Sequence, residues 1–192
     1  MLEGLPADLV PPDAPWPVVL GFDPGTIRAG YGALVRAPEG PRLLVCGVLA
    51  APARAGVPER LGHMAEAIEI LLDRLRPSAV AVESAFAARN VRSALRIGEA
   101  RGLALASAAR RGIPVYEIAP ASAKKAVVGH GGASKEQVAA MVQTILGASI
   151  DAPSDATDAL ALALAWLSDD GRRARLDAGA LRARVRDLPP SR

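Results

Sequence analysis

Four carboxylates in this 192-residue chain stand where carboxylates can do chemistry. Asp23 follows a short apolar run, Pro17–Phe22, and precedes Pro24-Gly25-Thr26, which forces a sharp turn. Glu83 directly follows Ala79-Val80-Ala81-Val82, a buried-looking run, although Glu is a poor strand residue. Asp155 and Asp158 are three apart at the start of a helical pattern, with Ser154 as the N-cap. That spacing puts both acids on one helix face. Singly, each has a plain structural explanation. Asp before Pro-Gly suits a turn, and Glu can end a strand in solvent. Acids in a first helical turn gain about 0.3–1 kcal/mol each from the helix dipole. As a set they are harder to explain so. Four carboxylates near one rim of a sheet repel one another unless a cation sits among them. All-oxygen donors without a Cys or His cluster suit Mg²⁺, or Mn²⁺ as a substitute, rather than zinc. Two such ions per subunit, roughly 3.5–4 Å apart, can activate water and stabilise a leaving oxygen in phosphoryl transfer. The chain shows little sign of a Ser-His-Asp triad.

Cations and one aromatic lie near these acids in the sequence. Lys124 and Lys125 precede the glycine-rich stretch Gly129-His130-Gly131-Gly132. Ser134 and Gln137 then make a capping-box pattern that opens a helix, with Lys135 in its first turn, against the dipole. Flexible glycine backbone with lysines suits a phosphate track; the spacing is not that of a Walker A loop. Arg89, Arg92 and Arg96 share one helical face that begins at a helix N-terminus, where Asn90 could cap. A phosphate lying at that end would relieve the conflict between these cations and the dipole; a solvated basic face is the competing explanation. Phe86, one of two phenylalanines, sits in an alanine-rich loop, Ala85 to Ala88. It could cap the core, or stack on a nucleobase for about 1–3 kcal/mol. His130 reads as a loop histidine and His63 as a surface residue of a helix.

The elements that must hold these groups follow from periodicity. Pro17–Phe22, Gly30–Val35 and Leu43–Leu49 read as strands, the last two separated by the turn-rich Pro38-Glu39-Gly40-Pro41. Leu61, Met64, Ala65, Ile68, Leu71, Leu72 and Leu75 recur at helical spacing until Pro77. Ala79–Val82 is a fourth strand, about Val91 to Arg110 a helix, and Pro114–Ile118 a fifth strand. Helices read from about Lys135 to Leu146 and Asp155 to Leu167. This order predicts an α/β fold: a mixed five-stranded sheet, a three-stranded antiparallel meander plus parallel strands, with helices on both faces. Gly98 and Gly102, one turn apart in a helix, suggest close approach by another element, either the sheet of the same subunit or a partner helix. A two-fold homodimer is expected. Residues 1–16, rich in Pro, read as a flexible N-terminal extension, 17–168 as one domain, and 169–192 as a charged C-terminal tail.

Composition narrows the class without choosing within it. Lys and Arg total 23 against 20 Asp and Glu, so charge balance alone identifies no polyanionic partner. Aromatics are only 3%, so aliphatic side chains must fill the core. The single cysteine, Cys46, excludes an internal disulfide and reads as a buried, inert thiol. The longest apolar run, Ala159 to Leu167, falls far short of the roughly 20 residues that span a bilayer. The N-terminus has no basic start resembling a signal peptide. A soluble cytoplasmic protein with no membrane partner is expected.

Five segments carry a resemblance. GFDPGT (21–26) with GYG (30–32) resembles the opening of bacterial RuvC-type Holliday-junction resolvases. The likeness continues, in order, through VESAFAARNVRSAL (82–95), GEARG (98–102), KKAVVGHGGASKEQV (124–138) and SDATDALALA (154–163). The resemblance implies a ribonuclease-H-like fold, a homodimer and bacterial origin. It implies Mg²⁺-dependent symmetric nicking of a four-way DNA junction that leaves 5′-phosphates, alongside a branch-migration helicase complex. The family's four metal-binding acids match Asp23, Glu83, Asp155 and Asp158. Its base-probing aromatic matches Phe86, and its two functional lysines match Lys124 and Lys135. The N-terminal extension is unusual for the family. Ser84 stands where many members carry Gln, which alters the contacts around Glu83.

Three other functions share parts of this pattern. An RNA-processing nuclease could use the same fold, since fold does not choose between nucleic acids. An actin-like sugar kinase or ATPase uses a similar D-P-G-T hairpin, but needs two such domains. A non-catalytic junction-binding protein would not need four intact acids.

Overall fold

Two tight antiparallel connections and two parallel crossovers build the sheet that carries the acids. The computed structural model describes residue 10, residues 16–84 and residues 91–168, without the side chains of residues 91–93. The strands are β1 (Val18–Asp23), β2 (Arg28–Ala37), β3 (Gly40–Ala50), β4 (Ala79–Glu83) and β5 (Val115–Ile118). The helices are α1 (Val57–Leu75), α2 (Val91–Arg110), α3 (Pro120–Val128), α4 (Lys135–Leu146) and α5 (Ser154–Ser168). The sheet order is β3-β2-β1-β4-β5. β1 pairs antiparallel with β2, and β2 with β3; β1 pairs parallel with β4, and β4 with β5. This is the mixed sheet expected from the sequence. The β2–β3 turn is tighter than the four-residue segment predicted: only Pro38 and Glu39 lie between the strands, and Gly40 takes φ +134°.

Period-two alternation sorts the strand residues into two cores. Val18, Leu20 and Phe22 of β1 join Val80 and Val82 of β4 under α1 and α2. Val19 joins Ala79 and Ala81 under α3, α4 and α5. Helix α5 is apolar nearly all round, as a helix enclosed by sheet and helices must be. Leu160 and Ala163 are fully buried, and burying a leucine side chain contributes about 2 kcal/mol.

Three glycines let α5 lie directly on the meander. A Cβ on Gly21 would come within 1.8 Å of Ala159 O, and one on Gly30 within 1.9 Å of Asp155 O. A Cβ on Gly32 would meet the Leu160 side chain at 2.6 Å. Glycine within a strand often marks such a close backbone approach.

Some local details depart from expectation. Helix α3 was not predicted, so Lys124 and Lys125 ride on a helix and not on flexible backbone. Its punctuation is nonetheless present: Pro120 in the first turn and Gly129 as a left-handed C-cap at φ 92°. Among the described residues, a Cβ on Gly98 or Gly102 would meet nothing within 4 Å, so the sheet of the same chain is not the close neighbour they suggested. Ser154 begins α5, and Pro153 O accepts from Ala156 N at the helix start. Cys46 is half-buried, and burial pushes its thiol up. Val10, inside the N-terminal extension, is buried and accepts a bond from Arg76 Nη2 at 2.6 Å.

Candidate active site

Strand parity aims the first two acids. Asp23 shares the face of Val19 and Gly21, and Glu83 shares that of Ala79 and Ala81, so both point toward α5. The parallel register pairs Phe22 with Val82, which sets Asp23 and Glu83 at adjacent strand ends. The helix brings the other two. Asp155 lies in the first turn of α5 above Gly30, and Asp158 is one turn on, beside Ala159, which rests on Gly21. Segments separated by about 130 residues of chain thus meet at one rim because glycines let a helix settle there.

The electrostatics show the convergence. Asp23 is pushed up from 3.8 to about 7, first by burial and then by Glu83, Asp158 and Asp155. Glu83 is also raised, by burial and then by Asp158, while a hydrogen bond with Asp23 opposes the rise. A carboxyl so placed keeps much of its protonated form at neutral pH unless positive charge is supplied.

Two cations answer part of that demand. Lys135 Nζ donates to Asp158 Oδ2 at 2.7 Å, and this bond raises the lysine's pKa. Arg28 Nε donates to Asp155 Oδ2 at 3.2 Å. With these contacts in place, no group of three or more His, Cys, Asp or Glu side chains among the described residues could hold a metal ion as it stands. The acids share an electrostatic site without yet forming a closed cage. Their chemistry still fits a hard divalent cation: four carboxylates, no sulfur or imidazole donor, and a central acid that cannot ionise freely without added positive charge.

A cavity of about 150 Å³ opens beside the acids, between α3, α4 and α5. Glu83, Asp158, Lys124 and Lys135 ring it, and Ala161 and Leu162 help floor it. Lys124 Nζ donates to Ala133 O at 2.6 Å, tying α3 to the loop that leads into α4. The capping box at Ser134 and Gln137 then starts α4 and fixes Lys135 in its first turn.

Lys125 and Arg96 are exposed, on α3 and α2. Phe86, Arg89 and Asn90, and the side chain of Arg92, lie outside the described residues. His130 and His63 are exposed, as expected. Ser84 Oγ, beside Glu83, is buried with no hydrogen-bond partner among the described residues. Arg28 was not singled out from the sequence. Its signal was weak: a lone arginine at the start of a strand, five residues after Asp23. Gly21, Gly30 and Gly32 gave a stronger signal. Gly30 and Gly32 alternate on one strand face, where a packed side chain would otherwise be expected.

Comparison with known proteins gives concordant matches. The family model for "Crossover junction endodeoxyribonuclease RuvC" matches residues 19–166. The protein of that name from Chloroflexus aggregans is 45% identical over 146 residues, covering 76% of this chain and 89% of the relative. Its counterpart from Anaeromyxobacter sp. (strain K) is 46% identical over 153 residues, covering 79% and 80%. Among solved structures, T. thermophilus RuvC in complex with Holliday junction substrate superposes with a TM-score of 0.72 at 40% identity. That match covers 78% of this chain and 92% of the other. A yeast mitochondrial Holliday junction resolvase, at 15% identity and a TM-score of 0.57, is similar in fold alone.

Proposed function

The chain belongs to the RuvC family of crossover junction endodeoxyribonucleases, and from that premise we propose that it resolves four-way (Holliday) DNA junctions by symmetric, metal-dependent nicking in recombination and repair. Asp23, Glu83, Asp155 and Asp158 are its catalytic, metal-binding acids. The observation that carries this assignment is the Asp23 carboxyl, raised to about 7 by burial and by the other three acids. Full ionisation of that group at neutral pH calls for a cation in the pocket. We propose Mg²⁺, two ions per subunit, with Mn²⁺ as a substitute, since every donor is a carboxylate oxygen.

Asp23 and Glu83 would hold the ions from the sheet, Asp155 and Asp158 from the helix. When bound, the ions supply Lewis-acid activation of the attacking water and stabilisation of the leaving 3′-oxygen, so that the product keeps a 5′-phosphate. Lys135, kept cationic by Asp158, offers positive charge to a phosphate at the rim. Lys124 braces the loop before α4 through Ala133 O, which holds Lys135 in register. Phe86 is proposed to stack on a base near the crossover. Arg89, Asn90, Arg92, Arg96, Lys124, Lys125 and Lys135 are proposed to contact the DNA.

We further propose a homodimer paired through α2, working in the bacterial cytoplasm beside a branch-migration helicase complex. Leu95 is 63% exposed and Ile97 36%, and among the described residues the neighbouring Gly98 and Gly102 leave open space for a second helix. A two-fold pairing would present one active site to each of two opposed strands. No helix among the described residues is long and apolar enough to cross a membrane.

The deciding experiment incubates the protein with a synthetic mobile four-way junction, with and without Mg²⁺, and maps the nicks. Paired, symmetric nicks that require Mg²⁺ are expected. Junction binding without cleavage would leave only a binding protein, and preferential cutting of structured RNA would assign the fold to RNA processing.

A further inference from the structure

Both acids on α5 are already paired with cations. Arg28 Nε holds Asp155 Oδ2, and Lys135 Nζ holds Asp158 Oδ2. Arg28 opens β2, two residues before Gly30 and on the same strand face. Its side chain is 52% exposed and that of Asp155 34%, so the pair lies at the solvent edge of the acid pocket. The contact uses Nε, one of five N–H donors on a guanidinium, which leaves donor capacity for a second anion. The paired arrangement coincides with the lack, among the described residues, of any set of three acids able to hold a metal ion as placed.

We propose that Arg28 is an exchangeable counter-cation of the cleavage site: it neutralises Asp155 before a divalent ion binds and, released by that ion, takes up a phosphate oxygen of the scissile strand. The proposal rests on the metal-binding role assigned to Asp155 above. A charge count supports it. Asp23, Glu83, Asp155 and Asp158 carry four negative charges when ionised, and Arg28 and Lys135 return two positive ones. Two divalent ions would balance the acids by themselves. Both side-chain cations would then be left without a counter-charge, next to a phosphodiester that gains negative charge as its bond breaks. Arginine suits that second role, because its fork matches phosphate geometry.

The prediction has opposite signs for the two ligands, which a purely structural role for Arg28 would not produce. Mn²⁺ binding to the full chain is followed by electron paramagnetic resonance, and junction binding in Ca²⁺ is measured across a salt series. Arg28→Gln should bind Mn²⁺ about two- to fivefold more tightly, the factor an exposed ion pair contributes. Its junction affinity should fall, with a salt dependence shallower by about one phosphate contact. Arg28→Lys, which keeps the charge but not the fork, should stay near wild type in Mn²⁺ binding and in salt slope. Weaker or unchanged Mn²⁺ binding by Arg28→Gln would overturn the proposal, and so would an unchanged salt slope. Asp155→Asn separates the two levels. If it leaves Mn²⁺ binding at the wild-type value, the metal role of Asp155 falls and the proposal with it. If it weakens Mn²⁺ binding while Arg28→Gln fails to strengthen it, only the proposal for Arg28 falls.

Discussion

Replacing Asp23 by Asn should stabilise the metal-free protein at alkaline pH while abolishing cleavage. In the folded chain the Asp23 carboxyl is raised from 3.8 to about 7 by burial and then by Glu83, Asp158 and Asp155. The folded state therefore holds a proton that the unfolded state has released between those two values. Its stabilising contribution is fully present below 3.8 and is lost as pH rises through about 7. The displacement corresponds to about 4 kcal/mol, at about 1.4 kcal/mol for each tenfold change in proton affinity. Solvent at the open rim screens part of this, so about 2 kcal/mol is the working figure at pH 8. Asparagine removes the charge, and its amide can still donate to Glu83. In EDTA at pH 8, Asp23→Asn should melt about 4–8 °C above wild type, the shift expected for about 2 kcal/mol in a chain of this size. At pH 5 the gap should narrow, because wild-type Asp23 then regains its proton in the folded state. Mg²⁺ at pH 8 should raise the wild-type midpoint far more than the variant's. Thermal unfolding by circular dichroism at the two pH values, in EDTA and in Mg²⁺, reads all three. A variant that melts with or below wild type at pH 8, or a gap that ignores pH, would refute the repulsion on which the active-site assignment stands.

Other perturbations test separate parts of the structure. Gly30→Ala puts a Cβ within 1.9 Å of Asp155 O; it should cost about 1–3 kcal/mol or more of stability and abolish Mg²⁺-dependent cleavage, read by urea unfolding and a junction assay. Lys135→Ala removes the partner of Asp158; single-turnover kinetics should show cleavage slowed by about 10²-fold, with junction affinity changed less than the rate. Leu95→Glu charges the exposed face of α2; sedimentation should shift toward monomer at micromolar concentration, with unchanged circular dichroism.

Short apolar runs bounded by turn residues, and period-3.6 patterning, made the sheet, four of the five helices and the strand-end positions of Asp23 and Glu83 legible in the sequence. The reason is physical: apolar runs and helical stripes are imposed by burial, and burial decided these elements. Helix α3 escaped because nine residues of PASAKKAVV carry little amphipathic signal, and Gly129-His130-Gly131-Gly132 drew attention to flexibility instead. That Asp155 and Asp158 would sit over Asp23 could be expected from the resemblance, but not from spacing. It depends on how closely α5 approaches β1 and β2, a tertiary distance. Gly21, Gly30 and Gly32 encode that distance as missing side chains, which period counting does not register. Arg28 and its pairing with Asp155 could not be read locally, since the partners are 127 residues apart.

The seating of α5 has a further consequence. Where peptide groups of helix and strand touch, with no side chain between them, their separation is set by atomic radii, which do not change with rotamer, temperature or solvent. Aliphatic core residues elsewhere can drift and be repacked without altering that gauge. The two pairs of acids can therefore be expected to keep their spacing as the surrounding sequence diverges. Adjustment on loading the pocket then falls to the side-chain ends, above all to Arg28 and Lys135, and not to the elements that carry them.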